Sequence, residues 1–299
     1  MCAILVTGAS GFVGTSLMEE MKRRNLPVIG VARSPKPGLL TIPAYGKAMN
    51  WDPLLKDVDT VVHLAARVHV MKDRQLNPLQ EFRQANLEAT LDLARAAARN
   101  GVRRMVFVST IKVNGEHTQP GRPFKAEDAP MPEGPYAQSK AEAEIGLLQI
   151  GRETGLEIVI LRPPLVYGPG NKGNLATLAR WAKFGLPSPF GAVRNRRTLV
   201  HVSNLCSAII AACIHPNAAN QVFLIADSTS VSTHEIFLAL GWRTTTPLLD
   251  AIFYRTLLPF LKLKKSTRDR LLCDLEVDIE KATALLEWTS SPFMSAKAT

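Results

Sequence analysis

The chain lacks the features that mark disulfide-rich, membrane-spanning or exported proteins. Its 299 residues contain only Cys2, Cys206, Cys213 and Cys273, which lie too far apart for a disulfide scaffold or a zinc site. No apolar run approaches the roughly 20 residues of a membrane span, so we expect no stable membrane insertion. The first residues show no charged region followed by an apolar one, so we expect no signal peptide. These absences predict a cytoplasmic protein with reduced thiols.

Acidic residues are also scarce, with 26 Asp and Glu against 36 Lys and Arg, which gives a formal net charge of +10. Such a balance favours anionic partners such as nucleotides, nucleic acids or anionic membranes. The basic clusters are scattered, and no nucleic-acid-binding module is recognisable, so we expect no nucleic-acid partner. Residues 248–265 are apolar and then basic. They suit either a membrane surface or the closure of a lobe, and we favour the lobe.

What is present begins with a glycine motif, Gly8-x-x-Gly11-x-x-Gly14, between an apolar run and a helical pattern. Strand, glycine turn and helix form the context of a dinucleotide fingerprint. Gly8 permits backbone angles that side chains forbid, Gly11 lets a pyrophosphate approach the helix start, and Gly14 lets the helix pack on the strand. The alternative is an ordinary tight strand-to-helix turn.

Apolar strands alternate with helices through the first 170 residues. Strands are predicted at 27–31, 60–66, 105–110 and 156–161, and helices at 79–100 and 136–154. This order predicts an α/β fold with a Rossmann-like, doubly wound parallel sheet. We expect an NAD(P)-binding domain over 1–170 and a smaller, mostly helical substrate lobe over 171–299. The lobe would be interleaved with the last strands of the sheet, at 198–202 and 221–225.

The end of the second predicted strand bears on the choice of cofactor. An acidic residue is expected there when NAD is bound, but the sequence has Ala32-Arg33. A guanidinium suits the additional phosphate of NADP, so we predict NADP, with NAD as the alternative. The other interpretation is a surface arginine at a strand end. His63, inside the third strand, we interpret as a packed strand residue rather than a catalyst.

Tyr136 and Lys140 carry the strongest catalytic signal. A spacing of four residues puts them on one face of the predicted helix. A phenol has a pKa near 10, and a nearby ammonium would lower it, so Tyr136 would serve as a general acid and base on a carbonyl or carbinol oxygen. The pair Ser109-Thr110, at the end of a strand, supplies a hydroxyl for the same oxygen.

Taken together, these motifs resemble the extended short-chain dehydrogenases/reductases, specifically the NAD(P)-dependent epimerase/dehydratase group that acts on nucleotide sugars. The resemblance covers essentially the whole chain. It includes the following segments: residues 7–14, 63–66, 108–110 and 173–175, Asn86, Tyr136-x-x-x-Lys140, Arg162-Pro163, 166–170, Arg197 before His201-Val202, and 277–278 before 286–288.

The resemblance implies specific roles. Thr110, Tyr136 and Lys140 would form the catalytic triad, and Lys140 would also bind the nicotinamide ribose. Asn174 and Arg197 would meet the diphosphate of a UDP-linked substrate, and Lys112 the sugar. By analogy with the family, the helices at 79–100 and 136–154 would pack against their copies in a second chain and so form a homodimer. With Gly14 and Arg33 from above, the cofactor-binding residues are Gly8, Ser10, Gly11, Phe12, Val13, Gly14, Arg33, Leu64, Ala65, Ala66, Asn86, Val108, Tyr136, Lys140, Pro163 and Val166.

Within this group the sequence is most similar to bacterial enzymes of surface-polysaccharide synthesis, which are 4-epimerases or 4-ketoreductases. Arg33 indicates NADPH and net reduction, and Leu165 stands where many 4-epimerases have a substrate-contacting Asn. Ile111-Lys112 replaces the Asp-Glu pair of dehydratases. We therefore expect a 4-ketoreductase acting at C4 of a UDP-hexose or UDP-N-acetylhexosamine. The alternatives are a UDP-glucose or UDP-N-acetylglucosamine 4-epimerase with tightly bound NAD, and a non-catalytic NADP-binding sensor, which would not need the intact triad.

Overall fold

The computed structural model describes residues 3–43, 49–67, 77–171, 174–185, 188, 190–244 and 265–293, without the side chains of 174–176 and 265–266. Cys2 and most of the segment 248–265 lie outside these residues. The described strands are β1 (Ala3–Thr7), β2 (Val28–Ala32), β3 (Leu40–Thr41), β4 (Val58–His63), β5 (Arg104–Val108), β6 (Glu157–Arg162), β7 (Leu165–Tyr167), β8 (Arg197–His201), β9 (Val222–Leu224) and β10 (Ser230–Val231).

The described helices are α1 (Phe12–Arg23), α2 (Asp52–Leu55), α3 (Pro78–Phe82), α4 (Ala89–Arg99), α5 (Gly134–Thr154), α6 (Asn174–Ala182), α7 (Val202–Ile214), α8 (Thr233–Ala239), α9 (Lys265–Leu272) and α10 (Glu280–Leu286). A π-helical turn, Arg83–Glu88, joins α3 to α4. The predicted helix 79–100 is therefore one helical run with a wider turn in its middle. Short 3₁₀ helices span Ile111–Val113 and Pro216–Ala218. Among the described residues, no helix combines the length and apolar character needed to cross a bilayer.

Seven of the described strands form one parallel sheet in the order β3-β2-β1-β4-β5-β6-β9. Alternate residues point to opposite faces, as the strand period requires. Val6, Val62 and Val106 pack toward α1 and α7, whereas Leu5 and Val61 pack toward α2, α4 and α5. Helices thus cover both faces, and the predicted doubly wound α/β fold is confirmed.

A second sheet has the order β10-β8-β7, with β8 parallel to β7 and antiparallel to β10. We expected residues 198–202 in the main sheet, and this was wrong. Pro163 and Pro164 follow β6 and have no N–H to donate, so the chain leaves the main sheet there and β7 pairs with β8 instead. The strand predicted at 221–225 does join the main sheet, as β9 beside β6. Because α7 and β9 return to the first layers, the division at residue 170 stays a prediction.

Candidate functional site

The glycine turn between β1 and α1 leaves no room for side chains at two of its positions. Gly8 has φ +69°, and a Cβ there would lie 2.8 Å from the Ala65 nitrogen. A Cβ on Gly14 would overlap the Gly8 carbonyl oxygen. Both contacts are far below van der Waals distance, so only glycine allows β1, β4 and α1 to meet this closely.

The start of α1 is open to an anion. Ser10 and Gly11 are exposed, Gly11 gives the helix no side-chain cap, and the first turn has no acidic residue. Free N–H groups and the positive end of the helix dipole therefore face outward, as a pyrophosphate requires. Beside this turn stand half-buried side chains that the sequence predicted to contact the cofactor, namely Phe12, Val13, Leu64, Ala65 and Ala66.

Arg33 follows β2 directly and is exposed. Ala9, in the glycine turn, donates its N–H to the Val31 carbonyl at 3.2 Å, so the end of β2 is held beside that turn. The exposed Arg33 therefore follows a strand end that lies next to the glycine turn. The residues of the turn and of β2 fit a dinucleotide.

A buried hydrogen-bonded line connects β1, β4 and the π-helical turn. Thr90 Oγ1 donates to the Asn86 carbonyl at 2.7 Å, so it accepts at 3.0 Å from Nε2 of His63. Nδ1 of His63 then accepts from Thr7 Oγ1 at 2.6 Å. Burial, and then the charge of Lys140, lowers the pKa of His63 to about 3. His63 is therefore a neutral residue packed inside the strand, as the sequence indicated.

Asn86 occupies the π-helical turn and is buried. Its amide nitrogen donates to Ser139 Oγ at 3.1 Å, and Ser139 Oγ donates to the Tyr136 carbonyl at 2.8 Å. Arg67, after β4, donates its N–H to Asn86 Oδ1 at 2.7 Å. Asn86 thus ties the first turns of α5 to the loop that follows β4. Such π-turns are frequent at functional sites.

Lys140 is almost completely buried, with 1% of its surface exposed. Its ammonium donates to the Val108 carbonyl at 2.8 Å and lies 3.8 Å from the centre of the Phe107 ring. Burial lowers its pKa to about 7, although the carboxylate of Glu144 acts in the opposite direction. The structure therefore brings Lys140 to the end of β5, two residues before Thr110.

Tyr136 lies one turn earlier on α5, with its ring edge-on to Phe82 at 6.0 Å between centroids. Burial raises the pKa of Tyr136 to about 12. Our expectation of a lowered pKa is therefore wrong. The desolvation of the phenol outweighs any stabilisation of the phenolate by Lys140.

Thr110 begins the 3₁₀ helix after β5, and its Oγ1 accepts from the Lys112 nitrogen at 3.4 Å. The Ile111 nitrogen donates to the Pro163 carbonyl at 2.9 Å, which places the loop before Val166 beside the triad. Ser109 Oγ is buried and has no hydrogen-bond partner in the described residues. An orphaned hydroxyl at this point fits a site that a polar ligand completes.

A buried ion pair connects α5 to the end of β6. Arg162, at the end of β6, contacts Glu144 at 2.5 Å and donates to Asn114 Oδ1 at 3.0 Å. Glu144 follows Lys140 by four residues, so Tyr136, Lys140 and Glu144 share one helix face. Sequence reasoning missed Glu144, although the same spacing of four residues could have indicated it.

A second cluster gathers the predicted substrate-binding cations. Lys112 pairs with Glu116, whose other oxygen lies 4.0 Å from Arg270 of α9. Arg197 donates to the Cys273 carbonyl at 2.9 Å, and Arg270 and Glu116 both act electrostatically on it. Burial lowers the pKa of both Lys112 and Arg197. This cluster of three cations around one carboxylate suits a diphosphate.

Two further residues, Asn174 and Leu165, bear on the predicted substrate site. Asn174 begins α6, but its side chain lies outside the described residues. Leu165, on β7, is 54% exposed, as a residue that faces a ligand would be. Sequence reasoning also missed Glu116 and Arg270. Only the fold brings Arg270 to Lys112, and no local pattern around it indicated this.

Comparison with known proteins agrees with this geometry. Residues 4–226 match the NAD dependent epimerase/dehydratase family. A UDP-glucose 4-epimerase from Vibrio cholerae is 40% identical over 96% of this chain and 90% of its own length. A solved structure of MoeE5 in complex with UDP-glucuronic acid and NAD is 26% identical, with a TM-score of 0.76 over 96% of this chain and 93% of that one.

A UDP-glucose 4-epimerase from Thermotoga maritima, solved with UDP-glucose, has the same fold, with a TM-score of 0.76 over 96% of this chain and 93% of that chain at 24% identity. The family match covers most of the chain and includes the glycine turn, the Tyr136–Lys140 pair and Arg197. The expected resemblance and the expected NAD(P)-dependent enzyme are both confirmed. The chain belongs to the NAD-dependent epimerase/dehydratase family.

Proposed function

We propose that the protein is a 4-epimerase of a UDP-linked hexose, with NAD(P) held in the crevice between the glycine turn and α5. The relative at 40% identity, named as a UDP-glucose 4-epimerase, supports this over the 4-ketoreductase that the sequence favoured. The UDP-sugar and NAD in the MoeE5 complex support the same class of ligands. The substrate would place its diphosphate among Arg197, Lys112 and Arg270.

The observation that carries the proposal is the position of Lys140 relative to Thr110. The ammonium lies 2.8 Å from the Val108 carbonyl, two residues before Thr110, and Tyr136 stands one turn away on the same helix face. A bound nicotinamide supplies hydride transfer. Tyr136 would exchange the proton of the C4 oxygen, Thr110 would orient that oxygen, and Lys140 would adjust the acidity of Tyr136.

The protonation state of Tyr136 matters for both half-reactions of an epimerisation. With a pKa of about 12, its phenol holds a proton at neutral pH and is ready to donate it to a ketone. Removal of a proton from a C4 hydroxyl requires a lower pKa. Tyr136 would release its proton more readily beside the positive charge that an oxidised nicotinamide would supply when bound. Epimerisation requires both directions in one cycle.

The 4-ketoreductase remains the second candidate because of Arg33. It is exposed beside the glycine turn, where an acidic residue would indicate NAD, and it suits a 2′-phosphate. A reductase would draw on NADPH from solution at every turnover. An epimerase would keep and recycle one bound dinucleotide.

One experiment separates these candidates. The purified protein is incubated with UDP-glucose without added cofactor, and the sugar is followed by NMR, while the cofactor released by denaturation is identified by mass spectrometry. We expect UDP-galactose to form and NAD to be released. Formation of no epimer, together with NADPH oxidation by a UDP-4-keto sugar, would establish the reductase instead. If neither reaction occurs, both proposals are wrong.

The proposal extends to the assembly and the location of the protein. A homodimer would pair α5 and the α3–α4 run with their copies. Ile145 on α5 is 63% exposed and would be covered by that contact. The cytoplasmic location expected from the sequence is kept as part of the same proposal.

A further inference from the structure

Two large aromatic side chains lie exposed at the end of α6. Trp181 is 56% exposed and Phe184 is 78% exposed. The Phe184 nitrogen donates to the Trp181 carbonyl at 3.0 Å, so a tight turn holds the two residues next to each other. Adjacent exposed aromatics differ from the single apolar residues that any surface carries, and they mark an interaction surface.

The rest of α6 explains why these two side chains face outward. Ala182 is buried, and the Trp242 indole donates to the Leu178 carbonyl at 3.1 Å. Trp242 also packs against Phe237 in a small apolar core that includes Leu178. The inner face of α6 is thus already occupied. Trp181 and Phe184 therefore lie on the opposite, exposed side.

Cations surround the two aromatics. Arg180 and Lys183 are exposed on either side of Trp181, and the Arg243 guanidinium lies beside Gly185, 3.9 Å from where its Cβ would stand. None of the three forms an ion pair with a described residue. The stretch of chain that contains α6 has no Asp or Glu between Glu157 and Asp227. We call Arg180, Trp181, Lys183, Phe184 and Arg243 the aromatic–basic patch.

From this geometry we propose that the aromatic–basic patch docks the enzyme on an anionic bilayer surface. Tryptophan and phenylalanine partition into the headgroup region, and Lys and Arg around them are attracted to acidic lipids. A second copy of the chain is a poorer occupant, because a two-fold contact would bring the cations of one patch against those of the other. The proposal does not depend on the reaction that the enzyme catalyses.

Such docking is peripheral and reversible. Each basic residue near an anionic surface strengthens binding by about fivefold, and the attraction falls with ionic strength. The helix that carries the patch also begins with Asn174, the predicted diphosphate contact. The substrate lobe would therefore be the part of the enzyme that faces the membrane.

The test is co-sedimentation of the full-length protein with vesicles of phosphatidylcholine alone or with phosphatidylglycerol. We expect binding to the anionic vesicles only, weakened by salt. Trp181→Ser/Phe184→Ser should lose binding, and Arg180→Gln/Lys183→Gln should weaken it about 25-fold. Met131→Ser, at an isolated residue that is 71% exposed, is the matched control and should bind normally. Turnover of a soluble nucleotide sugar should be unchanged in all these variants.

Fluorescence gives an independent measurement. Trp51 and Trp288 are buried and Trp242 is half-buried, so Trp181 is the most exposed of the four tryptophans. We expect a blue shift of emission on anionic vesicles, and the part of it that disappears in Trp181→Ser reports Trp181. Undiminished vesicle binding by Trp181→Ser/Phe184→Ser would overturn the proposal, as would failure of the wild-type protein to bind anionic vesicles at low salt. Dimerisation in sedimentation velocity that Phe184→Ser abolishes would also overturn it, by showing the patch to be a contact between copies.

Discussion

Replacement of Lys140 by methionine should remove activity and at the same time stabilise the fold. The ammonium is 1% exposed, and its pKa falls from 10.5 to about 7 because burial penalises the charged form. One pKa unit corresponds to about 1.4 kcal/mol, so holding this lysine costs the folded protein about 4 kcal/mol at pH 7. Methionine fills similar space without a charge. Loss of the bond to Val108 offsets part of the gain.

The sign of the pH dependence makes this prediction specific. Between pH 7 and pH 10.5 the unfolded chain keeps the proton of Lys140, whereas the folded chain has lost it. Stability therefore rises with pH across this window, and the contribution of Lys140 amounts to about 2 kcal/mol between pH 7 and pH 9. Lys140→Met has no titratable amine at this position, so its stability should not show this increase with pH. The raised pKa of Tyr136 acts only above pH 10, where it lowers stability as pH increases.

The assay is urea unfolding of the wild-type protein, Lys140→Met and the exposed control Lys56→Met at pH 7 and pH 9. The wild-type protein and Lys56→Met should gain about 2 kcal/mol more than Lys140→Met on going to pH 9. Turnover should be lost in Lys140→Met alone. Identical pH dependence in all three proteins would show that Lys140 is not held in the desolvated state from which we reason.

Three further predictions concern single side chains. Arg33→Asp should weaken NADP binding 10- to 100-fold in fluorescence titrations while NAD binding is retained, since charge-assisted bonds to a phosphate contribute about 1.5–3 kcal/mol; equal losses for both cofactors would contradict this. Glu116→Gln should lower the KM for a UDP-sugar several-fold, because its carboxylate neutralises Lys112 and Arg270, and a raised KM would reverse that interpretation. Ile145→Lys should convert a dimer into monomers in sedimentation velocity; a dimer that persists would exclude the proposed α5 contact.

Patterns within one or two turns of chain could be read correctly from the sequence. The glycine turn, the apolar parallel strands and the Tyr136–Lys140 helix face all depend on local spacing, and the structure places each of them as expected. The end of β6 was misjudged, since Pro163-Pro164 diverts the chain and moves β8 into a second sheet. The two consecutive prolines are visible in the sequence, and they could have indicated that the chain leaves the central sheet at this point.

Other properties could not be predicted because they depend on distant parts of the chain. Arg270 meets Glu116 only through the fold, and the π-helical turn around Asn86 has no distinct sequence pattern. The pKa of Tyr136 was assigned the wrong direction because helix spacing places a cation nearby but does not report burial. Desolvation is a property of the assembled core, and here it decides the direction of the shift.

The most direct test of the central claim is turnover of UDP-glucose by Tyr136→Phe, measured by NMR beside the wild-type protein and the control Tyr167→Phe, whose hydroxyl bonds to Asp227 instead. The cofactor content of each protein is determined in parallel. We predict that Tyr136→Phe keeps its cofactor and loses at least about 100-fold in rate, while Tyr167→Phe stays active. Wild-type rates in Tyr136→Phe would contradict the proton-transfer role on which the proposed function rests.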